Sequence, residues 1–244
     1  MKTNIKSEIY RFIHSPLLPL HIIVPILGSF IFVAYFATSN WSEEGSVSAF
    51  IQALSVTFPV LIGIIMGLSC DFEQNAGGFQ IMLTTKSSKL VPHISKIIVL
   101  LILGLISAIL ALGLFYIGFY FFNHTSFSAW FFIQTAIFMF ISMIPLYLLS
   151  YVISFLYGKG MSISIGIVGG MVSALLLTGL GDNNWFYTPW GLAARLSLFP
   201  FIRDVENNTS EMNWGIISLL IFTAILTILF IVIFRKWEGK RIED

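Results

Sequence analysis

The sequence predicts an all-α polytopic membrane protein, and three observations carry that reading: how little charge the chain holds, how its apolar residues run together, and where Lys and Arg fall. Of 244 residues, 57% are hydrophobic and 10% charged, with 24 Phe and a mean hydropathy of +0.90; an ordinary soluble domain is about a quarter charged. So little charge cannot cover a water-facing surface, so most of the surface faces lipid, where apolar side chains carry no penalty. A soluble enzyme is excluded. The net charge of +1 provides no basic field for nucleic acid, and the single cysteine, Cys70, leaves no internal disulfide framework.

A spanning helix needs about 20 mainly apolar residues, and six stretches qualify: 17–38, 50–69, 97–122, 130–157, 161–180 and 214–234. The first is expected to stay in the protein and not to be cleaved as a signal peptide. It is long, it carries Pro19 and Pro25, and it lacks a small-residue cleavage pattern. The third and fourth, at 26 and 28 residues, exceed the hydrocarbon thickness and are expected to tilt or protrude, and Pro145 is placed to kink the fourth. Six spans put both termini on one side. Of the 13 Lys and Arg residues, all but Arg195 and Arg203 fall on that side, which predicts cytoplasmic termini. The exterior loops are then 39–49, 123–129 and 181–213.

Three segments add to this plan. In residues 1–15, Ile5, Ile9, Phe12 and Ile13 recur at helical spacing among Lys2, Lys6 and Arg11, which predicts an amphipathic helix in the cytoplasmic interface. In the cytoplasmic stretch 71–95, Phe72, Ala76, Phe79 and Leu83 form one apolar stripe on a short helix, with Glu73, Gln74 and Gln80 projecting elsewhere. Gly77 and Gly78 each weaken that helix by about 1 kcal/mol relative to Ala, so either other contacts compensate or the segment bends there. Within the exterior segment, Trp185, Phe186, Tyr187, Trp190, Leu192, Leu196, Leu198, Phe199 and Phe201 crowd a nominal loop, which predicts a piece that dips into the outer leaflet or packs on the bundle.

The chemistry in the sequence is sparse. No G-x-x-x-x-G-K-[ST] loop is present with which the chain could hydrolyse ATP, and no H-E-x-x-H motif or Cys and His cluster suggests a metal site. His14, His21, His93 and His124 are scattered and read as structural or interfacial; His21 lies near the start of the first span, within reach of the headgroups. Cys70 reads as a small packing residue, and Glu43 and Glu44 have no partner motif for an intramembrane protease. No span carries a charge at its middle, where insertion costs about 2.5–3.5 kcal/mol, which disfavours an ion-coupled transporter. Gly63 and Gly67, like Gly166 and Gly170, show small-residue spacing that serves either helix packing or a subunit interface.

A six-span chain with no coupling charge and an elaborate insert after its second span needs energy from a partner. The run from Asp71 through Phe72, Glu73, Gln74, Asn75, Ala76, Gly77, Gly78 and Phe79 to Gln80, followed by Lys86, Lys89 and Lys96, resembles the acidic, glycine and aromatic signature after the second span of ABC-2 type permeases. The opening region from Lys2 to Pro25, with His21, Ile22, Ile23 and Val24 entering the first span, is similar to permease subunits of lantibiotic-protection ABC transporters. The resemblance extends over the whole chain in length and span order, with its specific part in the first hundred residues.

That resemblance implies an ABC-2 permease architecture in which segment 71–95 docks on a separate cytoplasmic ABC ATPase. Asp71, Glu73, Gly77 and Gln80 would position the docking segment and Phe72, Phe79 and Leu83 would anchor it; alternatively, Asp71 and Glu73 only cap and solvate a helix. The chain itself would be no enzyme and would bind no cofactor, with ATP and Mg held by the ATPase. A second permease copy or a sister permease would complete the transporter. The implied cargo is a cationic amphipathic antimicrobial peptide taken from the lipid bilayer and expelled outward. Trp185, Tyr187 and Trp190 would receive its apolar face, and Glu43, Glu44, Asp182, Asp204, Glu206 and Glu211 would attract it unless they merely follow topology. The alternatives are an ABC-2 permease for another drug or lipid, or a non-transport membrane sensor or scaffold.

Overall fold

The computed structural model describes residues 2–84, 88–123, 125–206 and 211–239, and among these the regular structure is helical, with no β-strand. Of the positions named above, Lys86 and His124 lie outside the described residues, as do Lys240 and Arg241 among the 13 Lys and Arg residues. The elements are α1 (Lys2–Ile13), α2 (Leu17–Thr38), α3 (Glu43–Asn75), the single turn α4 (Gln80–Leu83), α5 (Leu90–Asn123), α6 (Ala129–Tyr157), α7 (Lys159–Leu176), α8 (Pro189–Ser197), the turn α9 (Phe199–Phe201) and α10 (Met212–Lys236). Six of them, α2, α3, α5, α6, α7 and α10, are long and apolar enough to cross a membrane, so the fold is that of a multi-pass membrane protein.

The spans keep their predicted order and shift at their ends. The second begins at Glu43, because the Ser42 side chain accepts the Gly45 N–H at 3.1 Å and Glu43 and Glu44 sit in the first turn, where carboxylates favour a helix N-terminus. The loop expected at 39–49 is therefore mostly helix. At 33 residues, α3 is about 50 Å long and exceeds a hydrocarbon core of about 30 Å. Its far end runs past Ser69 to Asn75, and then the chain bends. Gly77 and Gly78 take φ of 116° and 60°, and Phe79 follows at 68° in the left-handed region that favours glycine. The predicted single stripe through Phe72, Ala76, Phe79 and Leu83 is thus broken: Phe72 is exposed and Phe79 buried.

Helix α3 packs on α7, α2 on α5, and α6 sits at the centre against α3, α5, α7, α8 and α10. Arg11 reaches Glu73, and Trp237 lies edge-on to Phe79 with ring centres 5.1 Å apart. Helix α1 and the residues just after α10 therefore meet the end of α3 and the start of α5 at one end of the bundle, here the terminal end. The segment that follows α7 packs on the bundle. Thr188 caps α8 by accepting the Gly191 N–H at 3.1 Å, and Leu192, Ala193, Ala194, Leu196 and Ser197 are buried against α6, α7 and α10. Arg195 holds this return in place. Its Nε donates to the Leu176 carbonyl and its Nη2 to the Thr178 carbonyl and Asp182 Oδ1, each at 2.8 Å, which satisfies acceptors left open where α7 ends.

Candidate functional site

At the terminal end, α1, α3 and α5 bring four charges together. Glu73 Oε1 lies 2.6 Å from Arg11 Nη2 and 2.6 Å from Lys96 Nζ; Glu8 Oε1 lies 3.1 Å from Arg11 Nη1, and Glu8 Oε2 3.0 Å from Lys96 Nζ. Glu8, Glu73 and Lys96 are buried, so none of the three is chiefly solvated. An unpaired buried charge is very costly, and two carboxylates against two cations let each neutralise its neighbours. Burial works against the Arg11 guanidinium, yet its bond to Glu73 and the fields of Glu73 and Glu8 leave its pKa above the ordinary value. Lys96 also stands 5.4 Å over the Phe12 ring, so α1 is held by charge and by apolar contact together.

Glu73, off the apolar stripe by its spacing, points inward, because its partners Arg11 and Lys96 come from residues far away in sequence. The signal was present in pieces: Glu8 three residues before Arg11, a spacing that pairs on a helix, and Lys96 next to an apolar run. A second arrangement abuts the cluster. His93 Nδ1 lies 3.0 Å from the Tyr151 hydroxyl, and its ring stacks on Phe234 at 4.0 Å and meets Trp237 edge-on at 5.0 Å. Phe79 packs in the same aromatic group beside Phe155 and Trp237.

Together these contacts fix both sides of the bend while its tip stays outside. Phe72, Gln74, Asn75, Ala76, Gly77, Gly78 and Gln80 are exposed; Phe79 and Met82 anchor the turn, and Leu83 is half-buried. Asp71 is half-exposed with its Oδ2 3.4 Å from Lys159 Nζ at the start of α7, an ion pair at the surface that contributes little. The structure thus separates the proposed docking residues into an exposed set led by Phe72, inward anchors, and Glu73 in the cluster.

The glycines settle as packing within one chain. A Cβ at Gly63 would lie 2.6 Å from the Ser162 carbonyl oxygen and 2.8 Å from Gly166 Cα; Gly67 sits against Lys159, and Gly170 against Val56 and Val60. Ser162 Oγ also donates to the Gly63 carbonyl at 2.9 Å. The four glycines line the α3 and α7 crossing, where they serve helix packing. His21 is likewise buried with Nδ1 2.7 Å from the Leu17 carbonyl, and does not reach out to headgroups.

The aromatic trio does not form one surface. Trp185 is buried with Leu192, Leu196 and Leu219, and its Nε1 donates to Glu211 Oε2 at 2.6 Å. The Trp190 ring lies on Gly169 of α7, and only Tyr187 is exposed. Most of the exterior acidic residues are engaged by the chain itself: Glu43 accepts from Thr125 at 2.6 Å, Asp182 pairs with Arg195, Asp204 with Arg203, and Glu211 with Trp185. Trp185→Phe, which strands the Glu211 carboxylate, is expected to lower stability by about 1.5–3 kcal/mol, whereas Tyr187→Ala should stay within about 0.5 kcal/mol. Thermal unfolding of the purified protein distinguishes the two.

Among the described residues, no group of three or more His, Cys, Asp or Glu side chains is arranged to hold a metal ion. No family model matches the chain, and no curated protein matches it.

Proposed function

We propose that the chain is the membrane-spanning permease subunit of an ATP-driven ABC exporter of the ABC-2 type, in a bacterial cytoplasmic membrane, expelling a lantibiotic or similar antimicrobial peptide. The observation that carries this reading is the bend after α3: an exposed tip mounted on a helix end that is clamped, through Glu73, to α1 and α5. A rigidly mounted tip is what a separate cytoplasmic ATPase needs in order to move a membrane bundle. Closure of the ATPases on ATP and Mg would displace the tip, and the buried charges would carry that displacement into α1 and α5 together, shifting two packed permease copies between arrangements.

The cargo surface in this proposal moves from Trp185 and Trp190, which pack into the fold, to side chains exposed at the opposite end, among them Trp41, Leu180, Tyr187 and Glu44. Such side chains suit an amphipathic cation lying in the outer leaflet. Phe72→Asp provides the test, with thermal unfolding of the variant read beside it, because Phe72 is exposed but also borders the small pocket that Glu8, Arg11, Glu73 and Lys96 line. The wild-type chain should co-purify with an ABC ATPase from its own membrane, and Phe72→Asp should lose most of that ATPase while accumulating normally. A wild-type chain that brings down no ATPase overturns the reading.

A further inference from the structure

Between α2 and α3, backed by α5 and α6, lies a cavity of about 160 Å³ whose wall includes His21, Gly28, Leu54, Phe58, Ile62 and Tyr147. Its α2 wall runs from Leu20 to Phe32, which at about 1.5 Å per residue makes the chamber about 18 Å long. Its lining is apolar apart from a few side chains. An apolar cavity of about this volume stays dry and accepts hydrocarbon guests. The lining follows α2 along that length, and a volume of about 160 Å³ holds a segment of an extended alkyl chain.

The chamber is not sealed off from the bilayer. Phe32, Ala53 and Thr57 line both it and a wider groove between α3 and α7, bordered by Gln52, Leu177 and Thr178 near the end away from the chain termini. The outer face of α2 alongside it exposes Leu27, Phe30 and Ile31, the kind of surface that lipid covers. The cavity and the groove thus share a wall at Phe32, Ala53 and Thr57, and the groove carries the Gln52 amide and the Thr178 hydroxyl.

We infer that this chamber is a binding site for one acyl chain of a bilayer phospholipid, which enters between α2 and α3 with its headgroup at the Gln52 and Thr178 groove. The inference holds for the chain as a membrane protein and does not depend on an ATPase or a peptide. Phe58 and Ile62 are buried, so surrounding lipid reaches them only from within the cavity.

The full chain in phosphatidylglycerol vesicles containing a lipid with a diazirine on its acyl chain should cross-link on irradiation at Phe58 or Ile62 as well as at Phe30 and Ile31. Gly28 lines the chamber and a Cβ there meets nothing within 4 Å, so the side chain of Gly28→Phe, or of Gly28→Leu should the larger ring impair folding, starts in open space and takes up chamber volume. With that space filled, cross-links at Phe58 and Ile62 should fall at least about fivefold, while those at Phe30 and Ile31 stay unchanged. Absence of cross-links at Phe58 and Ile62 in the wild type, or their persistence in both Gly28 variants, overturns the site.

Discussion

Glu73→Ala is expected to destabilise the folded chain by about 3–5 kcal/mol, the usual loss when one member of a buried ion pair is removed. The carboxylate meets two cations at 2.6 Å, and the Lys96 side chain is only 5% exposed, so the variant leaves an ammonium buried with Glu8 as its one remaining counter-charge. Arg11→Ala should cost less, because the 30% exposure of its side chain lets water screen the change. The double variant Glu73→Met with Lys96→Met should recover much of the loss, since similar-sized apolar side chains replace a desolvated pair and Glu8 keeps Arg11. Thermal unfolding of the three purified proteins, with proteolysis reporting release of α1, checks the order. A Glu73→Ala protein as stable as wild type would show that the cluster holds nothing.

The spans were legible in the sequence because a run of apolar residues is a local property. Their ends were less so: α3 starts at Glu43 because the Ser42 hydroxyl caps it, and the polar residues of that first turn hid the helix from a hydropathy count. The inward turn of Glu73 was beyond local reading, because a four-residue period put it on the polar side of Phe72 while Arg11 and Lys96 arrive from two other helices. Phe79 shows the same limit. It fits the stripe by spacing, but α3 ends at Asn75 and the chain turns through the positive φ of Gly77, Gly78 and Phe79, which brings the ring onto Phe155 and Trp237. Trp185 reads like an interfacial aromatic until Glu211, twenty-six residues on, takes its N–H. The glycine spacing on two spans was legible as close packing, and only the fold tells that the two stripes face each other.

That facing pair sets the second large effect. Gly63→Leu is expected to abolish the native crossing of α3 and α7, with little protein recovered in folded form. The new Cβ would stand 2.6 Å from the Ser162 carbonyl oxygen and 2.8 Å from Gly166 Cα, and both obstacles are backbone, which cannot rotate away as a side chain does. Ordinary overpacking costs about 1–3 kcal/mol; here the helices must separate, which also breaks the Ser162 hydroxyl bond to the Gly63 carbonyl. Gly113→Ala is the matched control. Its Cβ meets nothing within 4 Å, so replacing a helical glycine there should raise stability, by up to about 1 kcal/mol. Gel-filtration recovery and thermal unfolding of both variants measure the contrast, and a Gly63→Leu protein that elutes and melts like wild type would refute the crossing of α3 on α7.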